Sequence, residues 1–303
     1  MQTPRTELRA LVRGVYDLQK LRIEMGNRVV GNFKIKIGQE PGEREEELSD
    51  DAKQLLAELR RVHKRIADGM SHMTRRKFKA DGLISSYAEF SLVGHYSAMV
   101  VAEDQQMKDI ASIVEEFPIW TEFMVDVKGC GPTMAAVIIS EFDIHKARYP
   151  SSLWAYAGLD VASNGAGRSK RKEHLVERDY TDRDGKPAKR MGITYNPFLK
   201  TKLMGVLASS FLKQSADKCL YRLLYDNYKH RMESHVKWGT QNDDLKNDAG
   251  HKLTSKGKRH NMAMRYAVKR FLADLYKAWR PLEGLDVAPE YHEAKLGHKH
   301  HAA

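Results

Sequence analysis

The chain has 303 residues, of which 42% are hydrophobic, so it can bury a core and is not a wholly disordered protein. Its 51 Lys and Arg against 40 Asp and Glu give a formal net charge of +11, which favours an anionic partner. No run approaches the ~18 apolar residues of a membrane-spanning helix. The two cysteines have no zinc-ligand spacing. We therefore expect a cytoplasmic protein with reduced thiols, no membrane contact and no metal site.

Two amphipathic helices are predicted near the N-terminus, from Thr6 to about Val30 and from Ala52 to Met70. Between them, "GQEPGEREEELSDD" holds seven acidic residues, so it predicts an exposed acidic loop near residues 38–51. This pattern is typical of an antiparallel helical hairpin or of a coiled-coil arm, and self-association through these helices is expected. Their apolar positions are Leu8, Leu11, Val12, Val15, Leu18, Leu21, Ile23, Leu55, Leu56, Leu59, Val62 and Ile66.

A further helix is predicted through Met107, Ile110, Ile113 and Val114. The predicted fold is therefore mainly α, with a helical arm over residues 1–112. An α-helical domain that contains a helix-hairpin-helix follows over residues 113–285, and residues 286–303 are expected to be a flexible tail. The tail histidines, His298, His300 and His301, are interpreted as surface residues and not as metal ligands.

The positive charge is concentrated in the second half of the chain. From Val161 to Arg280 there are 27 Lys and Arg but only 12 Asp and Glu, a net charge of +15, whereas the remaining residues sum to about −4. A basic surface can simply be solvated, but segregation of this degree favours binding to nucleic acid.

The first motif is the stretch "VDVKGCGPTMAAVI", from Val125 to Ile138. In a helix-hairpin-helix, a hydrophobic-x-Gly-x-Gly turn lets the backbone N–H groups of the second helix approach a DNA phosphate. Glycine leaves room for the phosphate and permits positive φ. Gly129, Gly131 and Thr133 are therefore predicted to contact DNA, although a Gly-Pro turn between two core helices explains the same residues.

Downstream lie a Ser/Gly-rich loop, "SNGAGRSKRK", and a helix start, "NPFLK". The two glycines of this loop make its backbone flexible, and its Lys and Arg residues concentrate positive charge. The loop could therefore contact DNA, or it could be a disordered basic loop. Asn196 and Pro197 are good first residues for a helix with the apolar face Leu203, Val206, Leu207 and Phe211. The predicted DNA-binding residues here are Arg168, Lys170, Arg171, Lys172 and Lys200.

A last amphipathic helix is predicted from its apolar stripe, which comprises Met264, Val268, Phe271, Leu275 and Trp279. Arg265, Lys269 and Lys277 would lie on its solvent or phosphate side. Alone, this pattern is typical of a helix that faces a core.

The order of these features resembles the C-terminal transposase domain of the IS110/IS116/IS902 insertion-sequence family. The resemblance rests on Gly129-Cys130-Gly131-Pro132, the run from Tyr149 to Leu159, the loop from Ser163 to Lys172, and Asn196-Pro197-Phe198-Leu199-Lys200. It extends weakly through "KGKRHNMAMRYAVKRFLADLYKAW" and so covers about residues 118–280. It implies a prokaryotic or phage protein of a mobile element that binds DNA, with a guide RNA as a further implied partner.

The resemblance also implies chemistry. Family members attack a DNA phosphodiester with a serine in the Ser/Gly loop, and Ser163 matches that position. Their Mg²⁺ is held by four acidic residues of a separate RuvC-like nuclease domain, which residues 1–117 do not resemble. Cofactors are therefore expected to be absent from this chain, with Mg²⁺ supplied only if a nuclease partner is present. The alternative is a non-catalytic helix-hairpin-helix protein that binds DNA or regulates a mobile element.

Overall fold

The structure is a computed structural model that describes residues 3–40, 44–70, 74–80, 84–246, 250 and 252–289, with residues 62–70 described as backbone alone. The chain is mainly helical, which confirms the predicted fold class. It forms two compact units, Met1–Ala111 and Ser112–Ala303. The predictions for His298, His300, His301 and most of the tail, and for the Val62 and Ile66 side chains, fall outside what is described. The helices are α1 (Pro4–Lys36), α2 (Asp50–Met70), α3 (Tyr87–Val114), α4 (Pro118–Glu122), α5 (Pro132–Glu141), α6 (Pro150–Tyr156), α7 (Pro197–Thr201), α8 (Ala208–Leu212), α9 (Leu220–Glu233) and α10 (Lys256–Leu282).

Helix α1 begins at a reciprocal cap. The Thr3 side chain accepts a hydrogen bond from the Thr6 N–H, and the Thr6 hydroxyl accepts one from the Thr3 N–H. The buried apolar residues of α1 form two groups, one near each end, and within each group they are three or four positions apart, as the predicted periodicity requires. Leu11, Leu21 and Ile23 were also counted in the predicted stripe but are exposed, because they lie beside this row. The buried row comprises Leu8, Val12, Val15, Val29 and Phe33.

Polar residues occupy the middle of the same row and join α1 to α3. Gln19 donates to Glu103 at 2.9 Å, and Arg22 forms an ion pair with the same carboxylate, which is buried. Towards the other end of α1, Lys36 pairs with Glu89 at 3.3 Å. Because the later residue of α1 meets the earlier residue of α3, the two helices are antiparallel.

Helix α2 packs on the end of α1, where Phe33 meets Leu56 and Leu59. In the acidic loop between these helices, Glu45 accepts hydrogen bonds from Arg60 and pairs with Lys34 at 3.1 Å. Hydrogen bonds from Arg60 and then Lys34 lower the pKa of Glu45 to about 2. This part of the loop is therefore neutralised locally by its neighbouring helices.

The second unit is built around α10, which packs against α9, α6, α4 and α8. Val268, Phe271, Leu275 and Trp279 are buried as the predicted stripe requires, whereas Met264 is half-buried. Almost every residue of α5 is also buried, so the helix that follows the glycine turn belongs to the core.

A helix starts at Pro197 as predicted, because the Asn196 side chain accepts a hydrogen bond from the Leu199 N–H at 3.1 Å. Helices α7 and α8 are joined by a π-helical turn, Lys202–Leu207. This turn holds an extra residue, which rotates the following side chains about the axis. Leu203, Leu207 and Phe211 are buried, but Val206 is exposed, so its placement on the apolar face was wrong.

Two strands, β1 (Val176–Thr181) and β2 (Pro187–Gly192), form an antiparallel ribbon that the sequence analysis did not predict. Val176 lies opposite Gly192 and Thr181 lies opposite Pro187. The strands carry charged residues on both faces, so they lack the alternation of apolar and polar residues by which a half-buried strand is recognised.

Candidate nucleic-acid interface

Gly129 has φ +94°, so the turn before α5 uses the left-handed backbone that glycine adopts readily. Gly129 also lies close to α8: a Cβ at this position would be 3.0 Å from Cδ1 of Phe211 and 3.3 Å from its backbone nitrogen. Cys130 beside it is buried. Gly129 thus serves the turn and its packing, and its contact with DNA stays a prediction.

Gly131, unlike Gly129, lies on the surface and packs against no other described element. It is exposed, its φ of −80° is ordinary, and a Cβ there would meet no atom within 4 Å. It is the N-cap of α5, and its carbonyl accepts hydrogen bonds from Met134 and Ala135. Thr133, in the first turn of α5, is half-buried. The surface outside Gly131 is open to a partner, although the helix-hairpin-helix itself stays a prediction.

The Ser/Gly loop is a short hairpin and not an irregular loop. Val161 and Gly167 pair as an antiparallel bridge, and the Gly165 N–H bonds the Ala162 carbonyl at 2.9 Å. That bond closes a β-turn with Ser163 as its second residue, and Gly165 follows with φ +75°. Ser163 is exposed at the tip of this turn.

His174, which is buried, holds the two sides of this hairpin together. Its Nδ1 accepts from the Ser169 N–H at 3.1 Å, so Nε2 carries the proton and can donate to Asn164 Oδ1 at 3.2 Å. Asn164 Oδ1 also accepts from the Ala166 N–H at 3.0 Å. The Ser169 hydroxyl lies 2.9 Å from the same Nδ1. Among these groups, Ser169 is the serine that touches a histidine.

Below the hairpin tip, four cations surround one carboxylate. We call Arg168, Lys200, Arg265 and Lys269, together with Asp160, the cation cluster; all five are half-buried. Arg168 pairs with Asp160 at 2.7 Å, and Lys200 donates to the Arg168 carbonyl. Because Asp160 is paired with Arg168, the other three cations of the cluster have no acidic partner within it.

Arg265 and Lys269 reach the cluster from α10. A Cβ on Gly167 would lie 2.0 Å from Nη1 of Arg265, so the guanidinium rests on the hairpin backbone. That Nη1 is buried and has no hydrogen-bond partner among the described residues. The Lys269 ammonium lies 4.3 Å from the centre of the Trp154 ring, whose Nε1 donates to the Lys269 carbonyl at 3.0 Å.

Electrostatics confirm that these cations share one environment. Burial and then the Arg265 charge lower the pKa of Lys200, to about 8. Burial and then the Arg265 charge also lower the pKa of Lys269, and burial lowers the pKa of Arg265. The negative charge of Asp160 opposes all three shifts. The cluster is therefore short of negative charge.

The remaining predicted cations, Lys170, Arg171 and Lys172, are exposed on the second side of the hairpin. The pKa of Lys258 is lowered mainly by burial, then by the charge of Lys237 and then by the charge of Arg171. Arg171 therefore lies near Lys258. Lys258 and Lys237 lie 4.2 and 4.8 Å from the centre of the Trp238 ring. The basic surface therefore continues from the hairpin to the start of α10.

The structure thus brings Arg168 and Lys200 into the cation cluster, and leaves Ser163 at the hairpin tip and Gly131 at the start of α5. Sequence reasoning omitted Arg265 and Lys269 from the predicted site, although it placed both on the polar side of the last helix. Their i, i+4 spacing was a signal that both would share one face. Their proximity to Asp160 and Lys200 depends on the tertiary fold.

Within the described residues, no group of three or more His, Cys, Asp or Glu side chains could hold a metal ion. Among the described residues, no cluster of carboxylates therefore fits a bound Mg²⁺ ion. No helix in the described ranges is long and apolar enough to cross a membrane.

Residues 122–181 match the model of the transposase IS116/IS110/IS902 family. The match includes the glycine turn, the hairpin with Ser163 and strand β1, and it ends before the helix start at Asn196. No curated protein and no solved structure matched the chain. The segment that carries the glycine turn and the Ser/Gly hairpin is therefore similar to the transposase IS116/IS110/IS902 family.

Proposed function

We propose that this chain binds the DNA of a mobile genetic element and holds DNA phosphates at the cation cluster beside the Ser/Gly hairpin. The family match supports a transposase function in a mobile element. DNA binding and the use of a serine go further than that match, and the geometry of the second unit supports both.

The observation that carries the proposal is the excess of half-buried cations around Asp160. Bringing like charges together away from water is unfavourable unless an anion compensates them. Asp160 is already paired with Arg168, and the buried Nη1 of Arg265 has no hydrogen-bond partner among described residues. A phosphate would supply the missing charge and accept this hydrogen bond.

The binding test compares two single-charge changes in the full chain. Lys269→Gln removes a charge from the cation cluster, whereas Lys213→Gln removes an exposed charge elsewhere in the second unit. We expect wild type to bind duplex DNA with an affinity that falls steeply as salt rises, since bound phosphates release counterions. Lys269→Gln should weaken binding by roughly tenfold, as expected for a desolvated charged contact, and Lys213→Gln by much less.

Two results would contradict this proposal. An affinity that is the same in low and high salt would exclude phosphate binding as its main source. Equal losses in Lys269→Gln and Lys213→Gln would show that DNA senses only the net charge and that the cluster is not a built site.

For the chemical step, we propose Ser163 as the nucleophile of strand transfer. Its Oγ would form a bond to phosphorus while the bond from phosphorus to the leaving nucleotide oxygen breaks, and that oxygen would depart with a proton. Ser163 is exposed at a defined turn, so a phosphodiester can approach it. The cation cluster at the base of the same hairpin would stabilise charge on the phosphate.

The second candidate function is a non-catalytic DNA-binding or regulatory protein. It is favoured by the position of the Ser163 hydroxyl, for which the structure shows no hydrogen bond to a described residue. A serine needs a base, a metal or a lowered pKa to become a good nucleophile. If strand transfer occurs, a partner protein that carries the nuclease carboxylates and Mg²⁺ would complete the site, and a guide RNA is the other partner to be tested.

A covalent test separates the two functions. The full chain is incubated with DNA and Mg²⁺, with and without a nuclease-domain protein of the same family, and phosphoserine adducts are mapped. We expect an adduct at Ser163 that Ser163→Ala abolishes while DNA affinity is kept. Ser169→Ala is the matched control, because Ser169 is the nearby serine that touches His174. An adduct at Ser169 would reassign the nucleophile, and no adduct in any mixture would favour the regulatory protein.

A further inference from the structure

The ribbon β1–β2 is exposed along both of its faces. All six residues of β1 are exposed, and in β2 only Ala188 and Gly192 are half-buried. A two-stranded ribbon with no packed face is marginally stable alone. The ribbon belongs to a basic unit and extends into solvent. A partner that covers one of its faces would therefore stabilise it.

The two faces carry different charge. Residues opposite each other in an antiparallel pair lie on the same face, and residues two positions apart share it. Arg178 lies opposite Arg190, and Tyr180 lies opposite Ala188, so these residues form one face, which we call the arginine face. On the other face, Asp179 lies opposite Lys189, which also pairs with Glu177 at 2.7 Å.

Arg178 and Arg190 have no acidic partner among the described residues. Within the part of the chain that the structure describes, neither forms an ion pair or a hydrogen bond through its side chain. Like charges that lie directly opposite each other destabilise a sheet. Arg190 instead lies over the Tyr180 ring at 4.9 Å, and the Arg178 stem lies beside Gly192, where a Cβ would be 3.2 Å from its Cδ. The two guanidinium groups therefore lean in opposite directions along one face.

We propose that the arginine face of the ribbon enters the major groove of duplex DNA, as a second contact besides the cation cluster. Strands in a sheet lie about 5 Å apart, and a major groove about 12 Å wide admits a two-stranded ribbon. Guanidinium groups bind guanine O6 and N7 in that groove and phosphates at its edge. The opposite face, which carries two carboxylates and the Lys189–Glu177 ion pair, would face solvent. This inference rests on the DNA binding proposed above.

The test uses the full chain with Arg178→Gln and Arg190→Gln combined. The control, Lys186→Gln with Lys189→Gln, removes the same number of charges from the ribbon turn and its other face. Neither change touches the cation cluster, and removing the opposed arginines relieves a like-charge pair, so the ribbon should still fold. We expect the arginine variant to lose roughly tenfold or more in duplex affinity, and the control to lose much less. Wild type should protect guanine N7 from methylation, and the arginine variant should not.

The outcomes separate this inference from the proposed function. If wild type fails to bind duplex DNA, both fall. If wild type binds and Lys269→Gln weakens it, but the arginine variant binds like wild type, only the ribbon inference is wrong. Equal losses in the arginine variant and its control, or binding without N7 protection, would also overturn entry of the arginine face into the groove.

Discussion

At the residue scale, Lys269 is expected to oppose stability and to support DNA binding. Its ammonium is half-buried beside Arg265, and burial followed by that charge lowers its pKa. We expect Lys269→Met to raise the melting temperature of the protein without DNA, because it removes a half-buried cation that forms no ion pair with a described residue. The same change should weaken DNA binding. Thermal unfolding with and without duplex DNA measures both effects, and a variant that is less stable without DNA would contradict the cation excess.

Lys200 should make DNA binding depend on pH. Burial and Arg265 lower its pKa to about 8, while Asp160 opposes and Arg168 adds to this shift. A bound phosphate favours the charged ammonium and so raises its pKa. The contribution of Lys200 is therefore complete below about pH 8 and is lost as pH rises through the pKa of the complex. Affinity measured from pH 7 to 10 should fall above about pH 8.

The matched variant for this prediction is Lys200→Arg, because a guanidinium keeps its charge over the whole range. It should flatten the pH dependence, and any slope that remains comes from the other lysines with a lowered pKa, Lys269 and Lys258. An affinity that rises with pH in wild type would show that Lys200 does not act as a charged phosphate contact.

At the scale of elements, the two glycines of the turn before α5 have different roles, since Gly129 serves the fold and Gly131 is predicted to contact DNA. Gly129→Ala should destabilise the fold by roughly 1–3 kcal/mol, because alanine must adopt positive φ and its Cβ would press on Phe211. Gly131→Val should leave the melting temperature nearly unchanged, since its surroundings are open, but should block a phosphate that approaches α5. Circular dichroism melts and binding to several unrelated duplexes test the pair. Full affinity in a folded Gly131→Val protein would favour a turn without a DNA role.

The elements that sequence predicted well are those set by local chemistry. Asn196 before Pro197 is a local signal for a helix start, and the structure confirms it. The ribbon was missed, because its exposed faces carry charge where a recognisable strand would alternate with apolar residues. Val206 was misplaced, because nothing local distinguishes a π-helical turn from an α-helical one. The cation cluster joins residues more than a hundred positions apart, so only part of it could be predicted.

At the scale of the whole molecule, self-association through the N-terminal helices stays a prediction. Leu11, Leu21 and Ile35 are exposed on α1 outside its buried row, and water-exposed apolar side chains of this kind favour a partner surface. Leu11→Gln with Leu21→Gln should lower the particle mass measured by light scattering while keeping the helix content. A wild-type protein that is already monomeric at high concentration would argue that these residues have no partner.

The pairing of Gln19 and Arg22 with Glu103 determines the register in which α1 packs on α3. A slip of one heptad would bring Val15 or Val29 to the position of Arg22 and leave the buried Glu103 carboxylate without a cation. Losing one partner of a buried ion pair costs roughly 3–5 kcal/mol. The polar layer therefore fixes the register of α1 on α3, and any dimer that keeps α1 packed on α3 keeps this register as well.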